Sequence, residues 1–168
     1  MLPDRELLER GQLERLNALL ASVWASNGFY ANKLKGTPRS FSSIDEFRRV
    51  VPVTEKPELV ADQHAHPPFG TNLTFPVERY SRFCQTSGTT ARPMRWLDTP
   101  ESWSWMLDCW TRVLEASGVT SADRVFFPFS FGPFLGLWAA FDASARMGCL
   151  TIPGGGMRSS ARLRSPSS

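Results

Sequence analysis

Cysteine is scarce in this 168-residue chain. Cys84, Cys109 and Cys149 are odd in number, far apart and free of any C-x-x-C pairing. That excludes both a disulfide framework and a zinc site and suits buried thiols in a reducing compartment. No run reaches about 18 uninterrupted apolar residues, the length a membrane-spanning helix needs. Asp4, Arg5, Glu6, Glu9 and Arg10 crowd the start with charge where a signal peptide would be apolar. The expected compartment is therefore the cytosol. Charge of one sign is also lacking. The net +3 is matched by Arg158, Arg162 and Arg164 alone, in a Ser-rich tail. Before that tail no basic face interleaved with aromatics is visible, which argues against a nucleic-acid partner. A Walker A string, G-x-x-x-x-G-K-[ST], is absent too.

What is present is apolar and aromatic. Hydrophobic residues make up 42% of the chain, ordinary for a globular domain with a substantial core. Six Trp and twelve Phe outweigh two Tyr, so an aromatic core or an aromatic-lined pocket is expected.

Leu13, Leu16, Leu20 and Val23 recur at helical spacing and predict a helix over 3–24, ended by a left-handed glycine at Asn27-Gly28. A short helix over 29–34 follows. Ser43 and Glu46 have capping-box spacing and open another over 43–50, and Thr54-Glu55-Lys56-Pro57 starts one running to about 63. His64-Ala65-His66, near Asp62, has alternate histidines but no third ligand, and the Pro67-Pro68 that follows reads as loop. Solvent-facing histidines are expected there, with no metal site.

From Tyr80 the pattern changes. Strands are expected over 80–84, 94–97, 124–127 and 149–152, with helices over 99–117 and 134–147. Trp103, Met106, Leu107, Trp110, Val113 and Leu114 form one apolar stripe on the first of these helices. The expected fold is α/β: a helical N-terminal leader over 1–79, part of a βαβαβ parallel layer over 80–157, and an Arg/Ser/Pro-rich tail over 158–168 that is either disordered or frameshifted.

Between the first two strands lies Thr86-Ser87-Gly88-Thr89-Thr90-Ala91-Arg92-Pro93. A loop that cradles phosphate needs backbone N–H groups facing one anion, small side chains, hydroxyl donors and a cation. Thr86, Ser87, Thr89 and Thr90 supply the hydroxyls, Gly88 the flexible backbone and Arg92 the cation. By composition alone a polar turn would also fit.

Cys84-Gln85 followed by this loop resembles the T-S-G-T-T-G-K-P signature of adenylate-forming acyl-CoA synthetases, in the branch of the phenylacetate–CoA ligases. Asn27-Gly28-Phe29-Tyr30, Ser42-Ser43-Ile44-Asp45-Glu46-Phe47, Val51-Pro52-Val53-Thr54-Glu55-Lys56, residues 129–136 and the Arg146-Met147-Gly148 run into the glycines after Pro153 resemble the family's further motifs in order. The resemblance covers 5–157. It implies an enzyme that joins a carboxylic acid to AMP using ATP and Mg²⁺ and then passes the acyl group to coenzyme A. It further implies that the loop holds the β/γ-phosphates and that Phe129, Phe131, Gly132 and Phe134 border an acyl pocket suited to an aryl or other apolar acid. Core packing is the competing reading of those phenylalanines. Ala91 and Arg92 replace the family's second glycine and lysine. That stiffens the loop and puts a planar fork in place of a compact ammonium.

The family's later adenylation motif, ribose-binding Asp and C-terminal catalytic Lys do not occur in these residues. No catalytic residue is therefore assigned. The expectation is an N-terminal portion of an acid–CoA ligase, inactive alone, with a shifted or prematurely ended frame after Gly156 and an exposed sheet edge prone to self-association. The alternatives are a nucleotide-binding module that has lost the chemistry, or a polysaccharide-biosynthesis relative with another acceptor.

Overall fold

A computed structural model describes residues 4–86 and 93–160. The chain divides into two compact units, residues 1–78 and 79–168. Each is built from its own apolar cluster.

In the first unit, α1 (Arg5–Ser26) starts at Asp4, whose carboxylate accepts from the Glu6 N–H. Its end differs from the glycine stop expected. Gly28 lies inside the next helix, and Asn27 does the work in an extended conformation. The Asn27 N–H bonds the Val23 carbonyl while its side-chain oxygen caps α2 (Gly28–Lys33) at the Tyr30 N–H. Its amide nitrogen reaches Asn72 and Thr74. Asn27 is only 3% exposed, yet both ends of its amide are satisfied.

Ser43 caps α3 (Ile44–Val50), accepting from the Glu46 N–H as the spacing predicted. The Glu46 carboxylate turns back one residue further, to the N–H and hydroxyl of Ser42. Glu55 and Glu58 close a reciprocal capping box on α4 (Lys56–Ala65). Leu20, Leu34 and Phe41 form the buried cluster, and Leu13, Leu16, Trp24, Tyr30, Phe47 and Val51 pack on it. The Asn17 amide clamps the backbone of Phe41 with two 2.9 Å hydrogen bonds.

The second unit contains β1 (Arg82–Gln85), β2 (Arg95–Asp98), α5 (Pro100–Ala116), β3 (Arg124–Phe127), α6 (Leu135–Arg146) and β4 (Leu150–Pro153). Trp103, Leu107, Ala139, Ala143 and Cys84 make its core. The two alanines are fully buried and let α5 and α6 approach closely. Trp105 and Val113 lie on the outer side of α5, so Val113 does not join the expected stripe. Gly118 ends α5 with φ +82°, a conformation that only glycine adopts without strain.

The α/β class holds, but the strands do not form one continuous parallel layer. β1 and β2 pair antiparallel, from Arg82 opposite Asp98 to Gln85 opposite Arg95. β3 and β4 pair parallel across α6, with Arg124 opposite Leu150 and Phe127 opposite Pro153. The link from Gln85 to Arg95 is shorter than the roughly dozen residues a parallel crossover requires, so it can only close a hairpin.

Candidate functional site

The hairpin continues one step past its strands. The Thr86 N–H donates to the Met94 carbonyl at 3.0 Å, and the Met94 N–H donates to the Thr86 hydroxyl at 3.0 Å. Thr86 and Met94 therefore form a fixed foot at the end of the hairpin. Of the phosphate-loop candidates, Thr86 is this foot; Ser87, Gly88, Thr89, Thr90 and Arg92, with Ala91, lie outside the described residues.

Two further segments meet that foot or each other. The Gln85 N–H donates to the Pro133 carbonyl at 2.7 Å, which ties β1 to the stretch holding Phe129, Phe131, Gly132 and Phe134. The Gly154 N–H donates to the Phe127 carbonyl at 2.8 Å. A Cβ on Gly154 would lie 2.8 Å from the Phe126 ring, and one on Gly155 would lie 3.0 Å from the Phe129 carbonyl. At Gly154 a Cβ would collide with the ring, and at Gly155 it would press on the backbone, so both positions favour glycine. Hairpin foot, residues 129–134 and the glycine turn thus form one connected set.

Within that set the phenylalanines divide. Phe131 is half-buried among rings: 4.8 Å from Trp138, 5.2 Å from Phe141 and 6.2 Å from Phe127, centroid to centroid. Phe129 and Phe134 remain 47% and 38% exposed. Gly132 sits where a Cβ would come within 2.7 Å of the Phe134 ring, and its carbonyl accepts from the Trp138 indole at 2.8 Å. The sequence reading omitted Trp138 and Phe141, although Phe134, Trp138 and Phe141 have the four- and three-residue spacing of one helix face. It also omitted Pro133, whose carbonyl carries no sequence signal.

Behind the hairpin, Asp142 of α6 accepts from the Arg82 guanidinium at 2.5 Å and from the Trp103 indole at 3.1 Å. The guanidinium carbon stands 4.2 Å from the Trp103 ring centroid. This knot fixes β1 against both helices. Burial, and secondarily Asp98, pushes the Cys84 thiol above its ordinary pKa, the opposite of what a nucleophile needs. Asp98 itself is 8% exposed; one carboxylate oxygen accepts from Ser102, and the other has no hydrogen-bond donor among the described residues. In the first unit, His66 lies 3.2 Å from an Asp62 carboxylate oxygen, and that carboxylate also accepts from the N–H and hydroxyl of Thr71. Asp62 thus pins a turn. Among the described residues no group of three or more His, Cys, Asp or Glu could hold a metal ion, and no helix is long and apolar enough to cross a membrane.

No family model matches the chain. The phenylacetate–coenzyme A ligase of Escherichia coli (strain K12) is 27% identical over 165 residues, covering 93% of this chain and 36% of the relative. A solved 2-hydroxyisobutyryl-CoA ligase, in complex with 2-HIB-AMP and CoA in the thioesterification state, superposes with a TM-score of 0.87 at 28% identity, over 96% of this chain and 35% of the other. Its open conformation, also with 2-HIB-AMP and CoA, gives 0.83 at 27% identity, over 94% and 37%. The chain spans about a third of the length of these relatives.

The fold of this chain is thus that of part of an acid–CoA ligase. Within that class, the chain is similar to a phenylacetate–CoA ligase over about a third of that protein's length.

Proposed function

We propose that this chain supplies the phosphate clamp and one wall of the acyl site of an acid–CoA ligase, and that it does not turn over by itself. The observation that carries the reading is the tie between Gln85 and Pro133, which joins the foot of the Thr/Ser/Gly loop to the aromatic stretch over 129–134. ATP supplies the activated phosphorus: attack by a carboxylate on the α-phosphorus expels pyrophosphate. The residues of this chain then have two tasks. Backbone N–H groups, the hydroxyls of Thr86, Ser87, Thr89 and Thr90, the side-chain-free Gly88 and the Arg92 guanidinium have the chemistry to hold the charge that develops on the leaving group. The exposed rings of Phe129 and Phe134 offer an apolar acid a surface, with Gly132 making space for the Phe134 ring.

The glycine positions fit this reading, because Gly154 and Gly155 hold the wall's backbone at a separation that Cβ atoms would close. Mg²⁺ and coenzyme A belong to the reading through ATP chemistry and through relatives crystallised with CoA; no metal-ligand cluster among the described residues argues for the ion. Free thiols at Cys84, Cys109 and Cys149 suit a cytoplasmic enzyme.

The test is calorimetric titration of the chain with pyrophosphate and ATP, beside an ATP–pyrophosphate exchange assay with aryl acids. Pyrophosphate should bind, and Thr89→Ala or Arg92→Ala should weaken it about tenfold or more, the usual loss on removing a charge-assisted contact. Exchange should be absent. Pyrophosphate binding indifferent to both substitutions would remove the clamp, and exchange by the lone chain would refute its inactivity.

A further inference from the structure

Residues 128–134 lie outside helices and strands, so their backbone is held by something other than a ladder. Pro133 has no N–H, which leaves carbonyls to fix the middle of the stretch. Two consecutive ones do so. The Pro133 carbonyl accepts from the Gln85 N–H at 2.7 Å, and the Gly132 carbonyl accepts from the Trp138 indole at 2.8 Å. The first tie leads to the foot of the loop, the second to α6. Trp138 also reaches both sides with its ring. Its centroid lies 4.8 Å from that of Phe131 and 5.9 Å from the Arg82 guanidinium carbon, whose partner Asp142 stands one turn further along α6. One half-buried side chain therefore touches the aromatic stretch and the knot that fixes β1.

We propose that Trp138 is the positioning residue of this site. Through the Gly132 carbonyl it sets where Pro133 meets Gln85, and so keeps the foot of the phosphate loop and the acyl wall in one register. The inference rests on the ligase reading and deepens it: the indole acts on both ligands through the backbone between them. Without its N–H, Gly132-Pro133 shifts and the Gln85 tie loosens with it.

The experiment compares the full chain with two variants. Trp138→Phe keeps an aromatic ring and removes the donor; Phe141→Leu thins the same ring cluster and leaves the donor in place. Pyrophosphate affinity is measured by calorimetry, stability by urea unfolding, and exchange of single N–H groups by NMR. Trp138→Phe should weaken pyrophosphate about fivefold, the loss expected for one neutral hydrogen bond, and speed exchange of the Gln85 amide by a similar factor. Phe141→Leu should lower stability and leave both readouts unchanged. In the unmodified chain the Trp138 indole N–H, identified by its contacts with the Phe131 ring, should exchange slowly and shift when pyrophosphate is added. Equal losses in the two variants would reduce Trp138 to packing and overturn the proposal, as would a Gln85 amide indifferent to Trp138→Phe. If that variant does not fold, an indole N–H that exchanges freely in the unmodified chain overturns it instead. Pyrophosphate binding that is absent, or indifferent to Thr89→Ala and Arg92→Ala, removes the ligase reading, while exchange at Gln85 and at the indole still decides whether Trp138 positions the stretch.

Discussion

The two units are held together in different ways. The first relies on polar pins around a small apolar cluster: local caps at Asn27, Ser43 and Glu55, and side-chain amides that tie Asn17 to Phe41 and Asn27 to Asn72 and Thr74. The second relies on contacts between residues distant in sequence, with α5 packed on α6 through Ala139 and Ala143, and Arg82 reaching Asp142 some sixty positions away. The candidate site lies entirely in the second kind of structure. A hairpin foot, an aromatic stretch and a glycine turn can meet only when long-range packing brings them together. Local capping makes independent helices; it does not make a site.

The sharpest way to break this comparison is to empty each core in turn. Leu107→Ala in the second unit and Leu20→Ala in the first should each cost about 3 kcal/mol, the usual penalty for a buried leucine truncated in a close-packed interior. Urea unfolding followed by amide exchange separates the two. Leu107→Ala should also weaken pyrophosphate binding, because α5 supports β2 and hence the hairpin foot; Leu20→Ala should not. Equal losses of binding in both variants would contradict the division of labour.

Next comes the knot. Asp142→Ala leaves the Arg82 guanidinium and the Trp103 indole without their shared acceptor and should cost about 2 kcal/mol, since both ion-pair partners are partly buried. Asp45→Ala removes an ion pair with Arg48 on an exposed helix face and should stay within about 0.5 kcal/mol. The first unit has its own equivalent: Asn27→Ala should cost about 1–2 kcal/mol, because the start of α2 and two loop contacts lose one side-chain amide. Chemical denaturation of the three variants checks the order.

The same contrast explains what could be read from sequence. Ser43 with Glu46, and Glu55 with Pro57, announce helix starts because a cap and the groups it satisfies lie within three residues. Asn27 was read correctly as a boundary but credited to its neighbour, since Asn-Gly is equally a glycine stop until the Asn72 and Thr74 contacts are known. In the second unit, strand positions were legible from apolar runs while pairing was not. Whether β2 continues a parallel layer or folds back on β1 depends on link length and on partners far along the chain. The loop's hydroxyls and Arg92 give it a chemical reading from sequence. Its anchorage by Pro133 was not legible there, because a backbone carbonyl looks alike in every residue.

The smallest effects separate the units by pH. Hydrogen bonds from the Ser42 hydroxyl and N–H hold the Glu46 carboxyl below the ordinary glutamate range, and the Glu55 N–H, then Lys33, does the same for Glu58. A carboxylate with a lowered folded-state pKa stabilises above its unfolded value, and that contribution is lost as pH falls through the folded one. The first unit should therefore loosen at its α3 and α4 starts in acid, and Glu46→Gln should remove part of that dependence. In the second unit Asp123, bonded by the N–H and hydroxyl of Thr120, follows the same sign. Cys84 runs the other way. Burial, then Asp98, raises its pKa, so the contribution of the neutral thiol is complete below the unfolded value and disappears as pH rises through the folded one. Amide exchange at the two pH extremes should show acid sensitivity at the Ser42–Glu46 turn and alkaline sensitivity around β1, and Cys84→Ala should abolish only the second. Alkaline loosening that survives Cys84→Ala would mean that another group sets the alkaline limit of β1, because the Arg82–Asp142 pair keeps its charges in that range, and that the thiol does not contribute to it.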